Sequence, residues 1–315
     1  PQHPQHTMND TPAQENASRS GADPTQTGEE ANDAAIEPPE LTADAVMQVS
    51  DPHFTTDQVA IVTGAASGIG RATAVALAAN GLTVVATDVD EEGLWRTDDI
   101  AVSIGAAGRI ERVAADLTDD DEVEAVVETA AAQGQIRYLA NIAGLQTIAS
   151  IEDFPMEKYD HMQQVMLRAP LLLSKLVIPH LKNIDEGRGA IANMASVHGH
   201  YVTRDKVAYN TVKFGLRGLT NSIAAETDGS FRAFSVSTGY VKTPLVLNQI
   251  ADTAEERGIT ERAVVEDVML GQARLKEMME PIEVANLFVF ALSHHSQVLN
   301  GADLLWDGGY THTYE

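Results

Sequence analysis

The chain has 315 residues, 44% of them hydrophobic, which is enough for one large α/β domain with a substantial core. With 46 acidic against 21 basic residues the formal net charge is -25, which argues against nucleic acid or an anionic membrane surface as a partner. Cysteine is absent, so disulfides, thiolate metal sites and cysteine nucleophiles are excluded.

Residues 1–54 read as a disordered acidic leader. No Trp, Tyr or Phe precedes Phe54, and Pro, Gln, Asn, Asp, Glu, Thr and Ala dominate, a composition that buries too little apolar surface to fold. Residues 1–55 hold 10 acids and 1 base, so the remainder still carries -16. The start has neither the basic residues and apolar run of a secretory signal nor the Arg-rich character of a transit peptide. The most apolar stretch, Leu171 to Leu181, is interrupted by Lys175 and by Pro179-His180, so no membrane span is expected. These features predict a cytoplasmic protein, and the scarcity of lysine beside many carboxylates resembles a salt-adapted, halophile-like surface.

From residue 55 to 315 the pattern is that of a single folded domain. Val59-Ala60-Ile61-Val62 is a short buried strand that runs into Thr63-Gly64-Ala65-Ala66-Ser67-Gly68-Ile69-Gly70, and a helix with the period Ile69, Thr73, Ala76, Leu77 follows. Strand, Gly-rich turn and helix form the arrangement in which backbone N–H groups and a helix N-terminus hold a pyrophosphate, with Gly64, Gly68 and Gly70 keeping the turn tight. A second strand over Leu82–Thr87 ends at Asp88. An acid there accepts from the adenosine ribose hydroxyls and repels a 2′-phosphate, and no cation stands at Ala65, Ala66 or Ser67, so NAD is favoured over NADP.

A third strand over Ile110–Ala114 leads to Asp116-Leu117-Thr118, where Thr118 is the expected N-cap of an acidic helix over 119–133. Tyr138-Leu139-Ala140 then enters Asn141-Ile142-Ala143-Gly144, whose glycine lets the chain pass close to a cofactor. A long helix is expected over 157–180, a second over 208–226, and a strand over 231–237. Strands alternating with helices predict a doubly wound parallel sheet of Rossmann type flanked by helices, with its ligand crevice at the carboxyl ends of the strands. On the helix 208–226, Tyr209 and Lys213 are four residues apart and share a face, while Ser196 lies on an earlier segment.

Together these motifs resemble those of the short-chain dehydrogenase/reductase family. Thr63-Gly64-x-x-x-Gly68-Ile69-Gly70, Asn141-x-Ala143-Gly144, Ser196, Tyr209-x-x-x-Lys213 and Asp307-Gly308-Gly309 occur in that family's order over residues 56–309. Within the family, Ala143-Gly144-Leu145-Gln146, Ile151 to Pro155, Asn193 to Gly199, Lys206 to Tyr209 and Thr243 to Ile250 are most similar to dehydrogenases of D-3-hydroxybutyrate. The resemblance implies Ser196, Tyr209 and Lys213 as catalytic residues. It implies a cofactor site of Gly64, Ser67, Gly68, Ile69, Gly70, Asp88, Asp116, Leu117, Asn141, Ala143, Gly144, Tyr209, Lys213, Val241 and Thr243. It also implies a substrate site of Gln146, Ser196, His198, Lys206 and Gln249, a set of cation and N–H donors suited to a short carboxylate.

In that reading Tyr209 is the general acid/base for a hydride transfer between NAD and a small hydroxy or keto acid, most simply (R)-3-hydroxybutyrate and acetoacetate, and no metal is needed. Bringing a phenol from its usual pKa to about 7 takes roughly 4 kcal/mol, which one cation about 4 Å away supplies at an effective dielectric near 20. Lys213 is that cation. Residues 245–280 are expected to form a helical lid that brings Gln249 onto the carboxylate. The family implies a homotetramer or homodimer built partly from the helices 157–180 and 208–226.

Two departures from the family pattern stand out. Met166 occupies the place of an asparagine in the helix 157–180, which removes an amide from the proton path beyond Lys213; and Asn141-Ile142-Ala143-Gly144 lacks a second Asn, which is expected to loosen the adjacent strand link. Competing readings are a dehydrogenase of another small alcohol, polyol or cyclic diol with the same Ser196-Tyr209-Lys213 core, and a catalytically weak NAD-binding sensor or assembly protein.

Overall fold

The computed structural model describes residues 40–313, so residues 1–39 of the expected leader lie outside the described residues. Seven strands form one parallel sheet: β1 (Gln58–Thr63), β2 (Thr83–Asp88), β3 (Arg109–Ala114), β4 (Gln135–Asn141), β5 (Gly189–Met194), β6 (Phe231–Thr238) and β7 (Asp303–Trp306), in the spatial order β3-β2-β1-β4-β5-β6-β7. The helices are α1 (Gly68–Ala79), α2 (Glu91–Ser103), α3 (Asp120–Gln133), α4 (Met156–Gln163), α5 (Ala169–Leu181), α6 (Val207–Ala225), α7 (Pro244–Arg257), the single turn α8 (Glu261–Ala263) and α9 (Pro281–Leu292). The chain order reverses between β1 and β4, and such a switch point opens a crevice at the strands' carboxyl ends.

Both faces of the sheet are covered, so its strands read as continuous apolar runs. Along β1, Ala60 and Val62 point into a core shared with Val75 and Leu77 of α1 and Phe288 and Val289 of α9. Val59 and Ile61 point the other way, toward Val123 and Val126 of α3 and Leu173 and Val177 of α5. All of these side chains are fully buried, and each of those larger than alanine contributes about 1.5–3 kcal/mol on removal from water.

Four details differ from what the sequence leads one to expect. Residues 40–54 do not behave as leader: Val46 is buried, Phe54 meets Tyr138 edge-on at 5.7 Å, and the backbone N–H groups of Met47 and Val49 donate to Asn286 and Asn80 at 2.8 and 2.9 Å. Composition concealed this because the anchoring groups are backbone amides and asparagines far along the chain. The N-cap of α3 is Asp119, whose carboxylate accepts from Asp121 and Glu122; Thr118 is instead drawn into a turn with Asp116. The helix expected over 157–180 is broken by a π-helical turn over Gln164–Arg168. The lid is helical only as far as Met269, through α7, α8 and a π-helical stretch, and 270–280 is irregular. Among the described residues no helix is long and apolar enough to cross a membrane.

Candidate active site

The turn after β1 is shaped by contacts that admit no side chain. Gly64 and Gly68 take φ of 68° and 51°, and a Cβ on Gly64 would come within 2.7 Å of the Ala143 Cα. On Gly70 it would meet the Gly64 carbonyl at 2.0 Å. The turn thus lies directly against the end of β4 and delivers the chain into the N-terminus of α1. Thr63 completes the junction: its Oγ1 accepts from the N–H groups of Ile142 and Ala143 at 2.9 and 3.1 Å. The strand link that seemed weakened by the missing second Asn is therefore made from the neighbouring strand.

A cleft of about 380 Å³ opens over these carboxyl ends. It is lined by Gly64, Ser67, Gly68, Ile69, Gly70, Asp88, Asp116, Leu117, Ala143, Gly144, Ser196, Tyr209, Lys213, Val241 and Thr243. Asn141 is the expected cofactor residue that does not line it. It is buried, and its amide donates to Asn193 Oδ1 at 2.8 Å, which continues to Thr220 Oγ1 at 2.9 Å and so ties β4, β5 and α6 together.

At the adenosine end Asp88 is held in place by the N–H groups of Ala66 and Asp90, both at 3.1 Å. The Arg71 guanidinium donates to the Ala66 carbonyl and to Thr97 Oγ1 at 3.1 Å and does not line the cleft. Asp116 sits below the usual carboxylate range because the backbone and hydroxyl of Thr118 donate to it. Opposite, Thr243 is buried and its methyl group stands 3.0 Å from where a Cβ on Gly68 would lie. Such an arrangement can hold a dinucleotide, with a helix N-terminus suited to a pyrophosphate and a carboxylate suited to a ribose.

Ser196, Tyr209 and Lys213 converge from β5 and α6. Ser196 caps a short 3-10 turn, Val197–Gly199, and its Oγ accepts from the His198 N–H at 3.2 Å. Lys213 is buried, donates to the Met194 carbonyl at 2.7 Å, and its ammonium lies 5.3 Å from the centre of the Tyr209 ring. Burial pushes the Tyr209 phenol up, against a hydrogen bond from Ser196 that pulls it down. The same burial pushes Lys213 down to about 7. In the protein alone, desolvation therefore outweighs the mutual help of phenolate and ammonium.

Beside this trio is a second, smaller cavity of about 50 Å³. Gln146, Ser196, His198, Lys206, Tyr209 and Gln249 all line it, together with Tyr240, Leu245 and Val246. Gln146 and Lys206 share a wall because the two loops are zipped together: Ala149 N–H donates to the Asp205 carbonyl at 2.9 Å, and Ala149 pairs with Lys206. Asp205 adopts φ of 65°, a conformation that Asp tolerates better than most residues. The Gln146 Nε2 is buried without a partner. Gln249 lines the cavity, but its amide donates to the Leu245 carbonyl of its own helix at 2.7 Å. His198 is buried with both ring nitrogens near hydroxyls, Nδ1 at 3.4 Å from Ser196 Oγ and Nε2 at 3.1 Å from Thr203 Oγ1. Burial, reinforced by Lys206 and Lys213, holds its pKa down to about 3.

Sequence reasoning missed Thr63, Thr203 and Tyr240. Thr63 could have been found as a hydroxyl at the end of a buried strand; Thr203 and Tyr240 sit in irregular segments with no periodicity to mark them. Among the described residues no group of His, Asp and Glu could hold a metal.

Known proteins resemble the chain over most of its length. A family model described as Enoyl-(Acyl carrier protein) reductase matches residues 64–311. The D-beta-hydroxybutyrate dehydrogenase of Rhizobium meliloti is 34% identical over 81% of this chain and 98% of its own. The D-threitol dehydrogenase of Mycolicibacterium smegmatis is also 34% identical, over 83% and 96%. Among solved structures, L-sorbose reductase from Gluconobacter frateurii complexed with NADPH and L-sorbose superposes with a TM-score of 0.75 at 26% identity, covering 82% of this chain and 98% of that one. The chain belongs to the short-chain dehydrogenase/reductase family of oxidoreductases.

Proposed function

We propose that this oxidoreductase is an NAD-dependent dehydrogenase of a short hydroxy acid, with (R)-3-hydroxybutyrate and acetoacetate as the simplest substrate pair. The observation that carries the reading is the 50 Å³ cavity, in which Lys206 and the unpartnered Gln146 amide face the same space as Ser196 and Tyr209. Pockets for drug-sized ligands measure about 300–1,000 Å³, so this one suits a molecule of few atoms. A half-buried cation and a free N–H donor in it favour a carboxylate over the hydroxyls of a polyol. Relatives of equal identity are named for both kinds of substrate, so the distinction rests on Lys206 and not on overall similarity.

Tyr209 is the general acid/base, donating its proton to the carbonyl oxygen in reduction and taking it back in oxidation. Ser196 orients that oxygen and stabilises the charge that develops on it. Lys213 favours the phenolate, and when bound the oxidised nicotinamide adds a positive charge and accepts the hydride. Asp88 favours NAD, since a 2′-phosphate beside it would meet a carboxylate and no cation from residues 65–67. Gln146, Lys206 and His198 bind the acid, and Gln249 joins them if its helix bond to Leu245 is exchanged on lid closure. A homotetramer or homodimer, with α4, α5 and α6 contributing, completes the reading.

The test is a matrix of NAD and NADP against short hydroxy acids, polyols and cyclic diols. Turnover with NAD and 3-hydroxybutyrate is expected to vanish in Tyr209→Phe. Lys206→Met is expected to raise the KM for the acid about 10- to 100-fold, the loss of one charge-assisted contact, while leaving the KM for NAD alone. Equal activity of Lys206→Met toward the acid would refute the carboxylate pocket, and preference for a polyol would replace it.

A further inference from the structure

Asp303, at the start of β7, lines neither cavity, yet polar side chains converge on it from β6, from α6 and from the loop after β5. The hydroxyls of Ser235 and Ser237 on β6 donate to its Oδ1 at 2.5 and 2.9 Å. Its Oδ2 lies 2.6 Å from His200 Nε2 and 3.7 Å from Nε of Arg217, which projects from α6. The same guanidinium donates through Nη1 to the Gly199 carbonyl at 2.6 Å. Gly199 and His200 lie at the outer end of the loop that leaves β5 through Ser196 and His198. We propose that Asp303, acting through His200 and Arg217, is a positioning residue: it fixes the outer end of this loop and thereby sets where the Ser196 hydroxyl stands in the substrate cavity. The inference rests on the reading of Ser196 as the group that orients the reacting oxygen.

The loop is stiff enough to carry a constraint from His200 back to Ser196. Within it the Gly199 N–H donates to the Ser196 carbonyl at 2.8 Å, and the N–H groups of His200 and Tyr201 donate to the Val197 carbonyl at 2.8 and 3.1 Å. The His198 N–H closes the turn onto Ser196 Oγ at 3.2 Å. A turn so bonded moves as one piece. Its inner end is set by the sheet, where the Ala195 N–H donates to the Val236 carbonyl at 2.8 Å. With that end alone fixed the turn could pivot; the contacts with Asp303 and Arg217 supply the second fixed point. A Cβ on Gly199 would lie 2.9 Å from the Lys213 carbonyl and 3.0 Å from Arg217 Cδ, so the loop rests directly on the helix that carries Tyr209 and Lys213.

Sheet pairing does not call for a carboxylate here. Strands β6 and β7 pair in register from Ser235–Asp303 to Thr238–Trp306 through their backbones, whatever the side chain at 303. Removing a carboxylate and its partners from water is costly, and apolar side chains of similar volume often replace such a network without loss of stability. What an apolar residue cannot do is hold an imidazole and a guanidinium in defined orientations. A carboxylate only accepts, so Nε2 is the nitrogen through which His200 donates. Placement of this kind matters for a group that orients a reacting atom, where a shift of about 1 Å costs on the order of 10²-fold in rate.

The test is a double-mutant cycle in the intact protein, run with the cofactor and substrate that the matrix above selects. His200→Leu keeps much of the bulk and removes the donor, whereas His200→Gln retains an N–H donor on a side chain of similar reach. His200→Leu is expected to lower kcat about tenfold with the KM for the cofactor unchanged, and His200→Gln to recover most of the loss. Because the effect passes through Ser196, the double variant His200→Leu with Ser196→Ala is expected to be no slower than Ser196→Ala alone. Arg217→Lys keeps the charge but loses the fork that reaches both Gly199 and Asp303, and is expected to show the same pattern at about threefold. It carries the test should His200→Leu fail to fold. Native kcat in folded His200→Leu or in Arg217→Lys overturns the proposal. So do a His200→Gln variant no better than His200→Leu, losses that multiply in the double variant, and a matching rise in the KM for the cofactor, which would mark a general loosening of the fold. Native kcat in Ser196→Ala instead overturns the reading of Ser196 beneath it.

Discussion

The thioether sulfur of Met166 accepts a hydrogen bond from the backbone N–H of Leu145 at 3.2 Å, within the π-helical turn that separates α4 from α5. Such turns recur at functional sites because the extra residue redirects one side chain out of the helical register. Here the redirected side chain is fully buried and reaches the loop that carries Gly144, Leu145 and Gln146. On sequence grounds Met166 removes an amide from the proton path beyond Lys213; the sulfur nevertheless accepts a backbone hydrogen bond, a weaker one than an amide oxygen would accept.

Met166→Leu keeps the volume and removes the acceptor. The Leu145 N–H then loses its partner and the loop bearing Gln146 slackens, a loss of about 0.5–1 kcal/mol. The KM for the acid substrate is expected to rise about two- to fivefold with kcat little changed. Met166→Asn, which offers a stronger acceptor, is expected to reverse the effect. Steady-state kinetics of both variants decide it; an unaltered KM in Met166→Leu would mean that the sulfur contact positions nothing.

Asp88→Ala tests the cofactor reading. The carboxylate accepts from Ala66 and Asp90 while lining the cleft, so its loss removes both a ribose acceptor and a support of the Gly-rich turn. The KM for NAD is expected to rise about tenfold while that for NADP falls, because the charge that repels a 2′-phosphate is gone. The ratio of kcat/KM for the two cofactors is the measurement, and a ratio unmoved by the substitution would assign the discrimination elsewhere.

How much of this was legible in the sequence follows from how local each signal is. The Gly-rich turn, Asp88 and the Tyr209–Lys213 pair are short-range patterns with a fixed physical meaning, and the parallel sheet follows from strands alternating with helices. What was hidden depends on partners far apart in the chain. Asn141 turns away from the cleft because Asn193 of the next strand takes its amide, Thr63 supplies the strand link from the other side, and Asn80 and Asn286 anchor a stretch whose composition reads as leader. Thr203 belongs to the same class: its meaning comes from His198, five residues earlier but joined through a ring nitrogen no pattern can reveal.

Arg232 is a stability residue that no sequence pattern marks. It lies in β6, fully buried, and its guanidinium donates to the carbonyls of Ala291, Leu292 and Ser293 at 2.7, 2.8 and 3.0 Å, satisfying the C-terminal end of α9. A positive charge there also complements the helix dipole. Arg232→Met fills similar space but leaves these buried carbonyls without donors, a loss of about 3–5 kcal/mol. Urea denaturation is expected to show a matching drop in midpoint with the slope preserved. A change below about 1 kcal/mol would mean that water replaces the guanidinium at little cost.

Lys213 should be a residue whose removal stabilises the protein while abolishing its activity. Burial lowers its pKa from 10.5 to about 7, so the folded state resists the charge that an unfolded lysine keeps. Below pH 7 both states are protonated and the folded state bears the full penalty. Between pH 7 and 10.5 the unfolded chain binds more protons, so the stability of the native protein without cofactor rises with pH, by roughly 2–3 kcal/mol from pH 7 to 9. Lys213→Met abolishes this slope. It also orphans the Met194 carbonyl, at a cost of about 1 kcal/mol that does not depend on pH. The variant is therefore expected to exceed the native protein in stability at pH 6, and to lose that advantage progressively as the pH approaches 9. Denaturation curves of both proteins at several pH values measure the difference directly. A difference constant with pH would show that Lys213 keeps an ordinary pKa, and that the burial around Tyr209 is wetter than its geometry indicates.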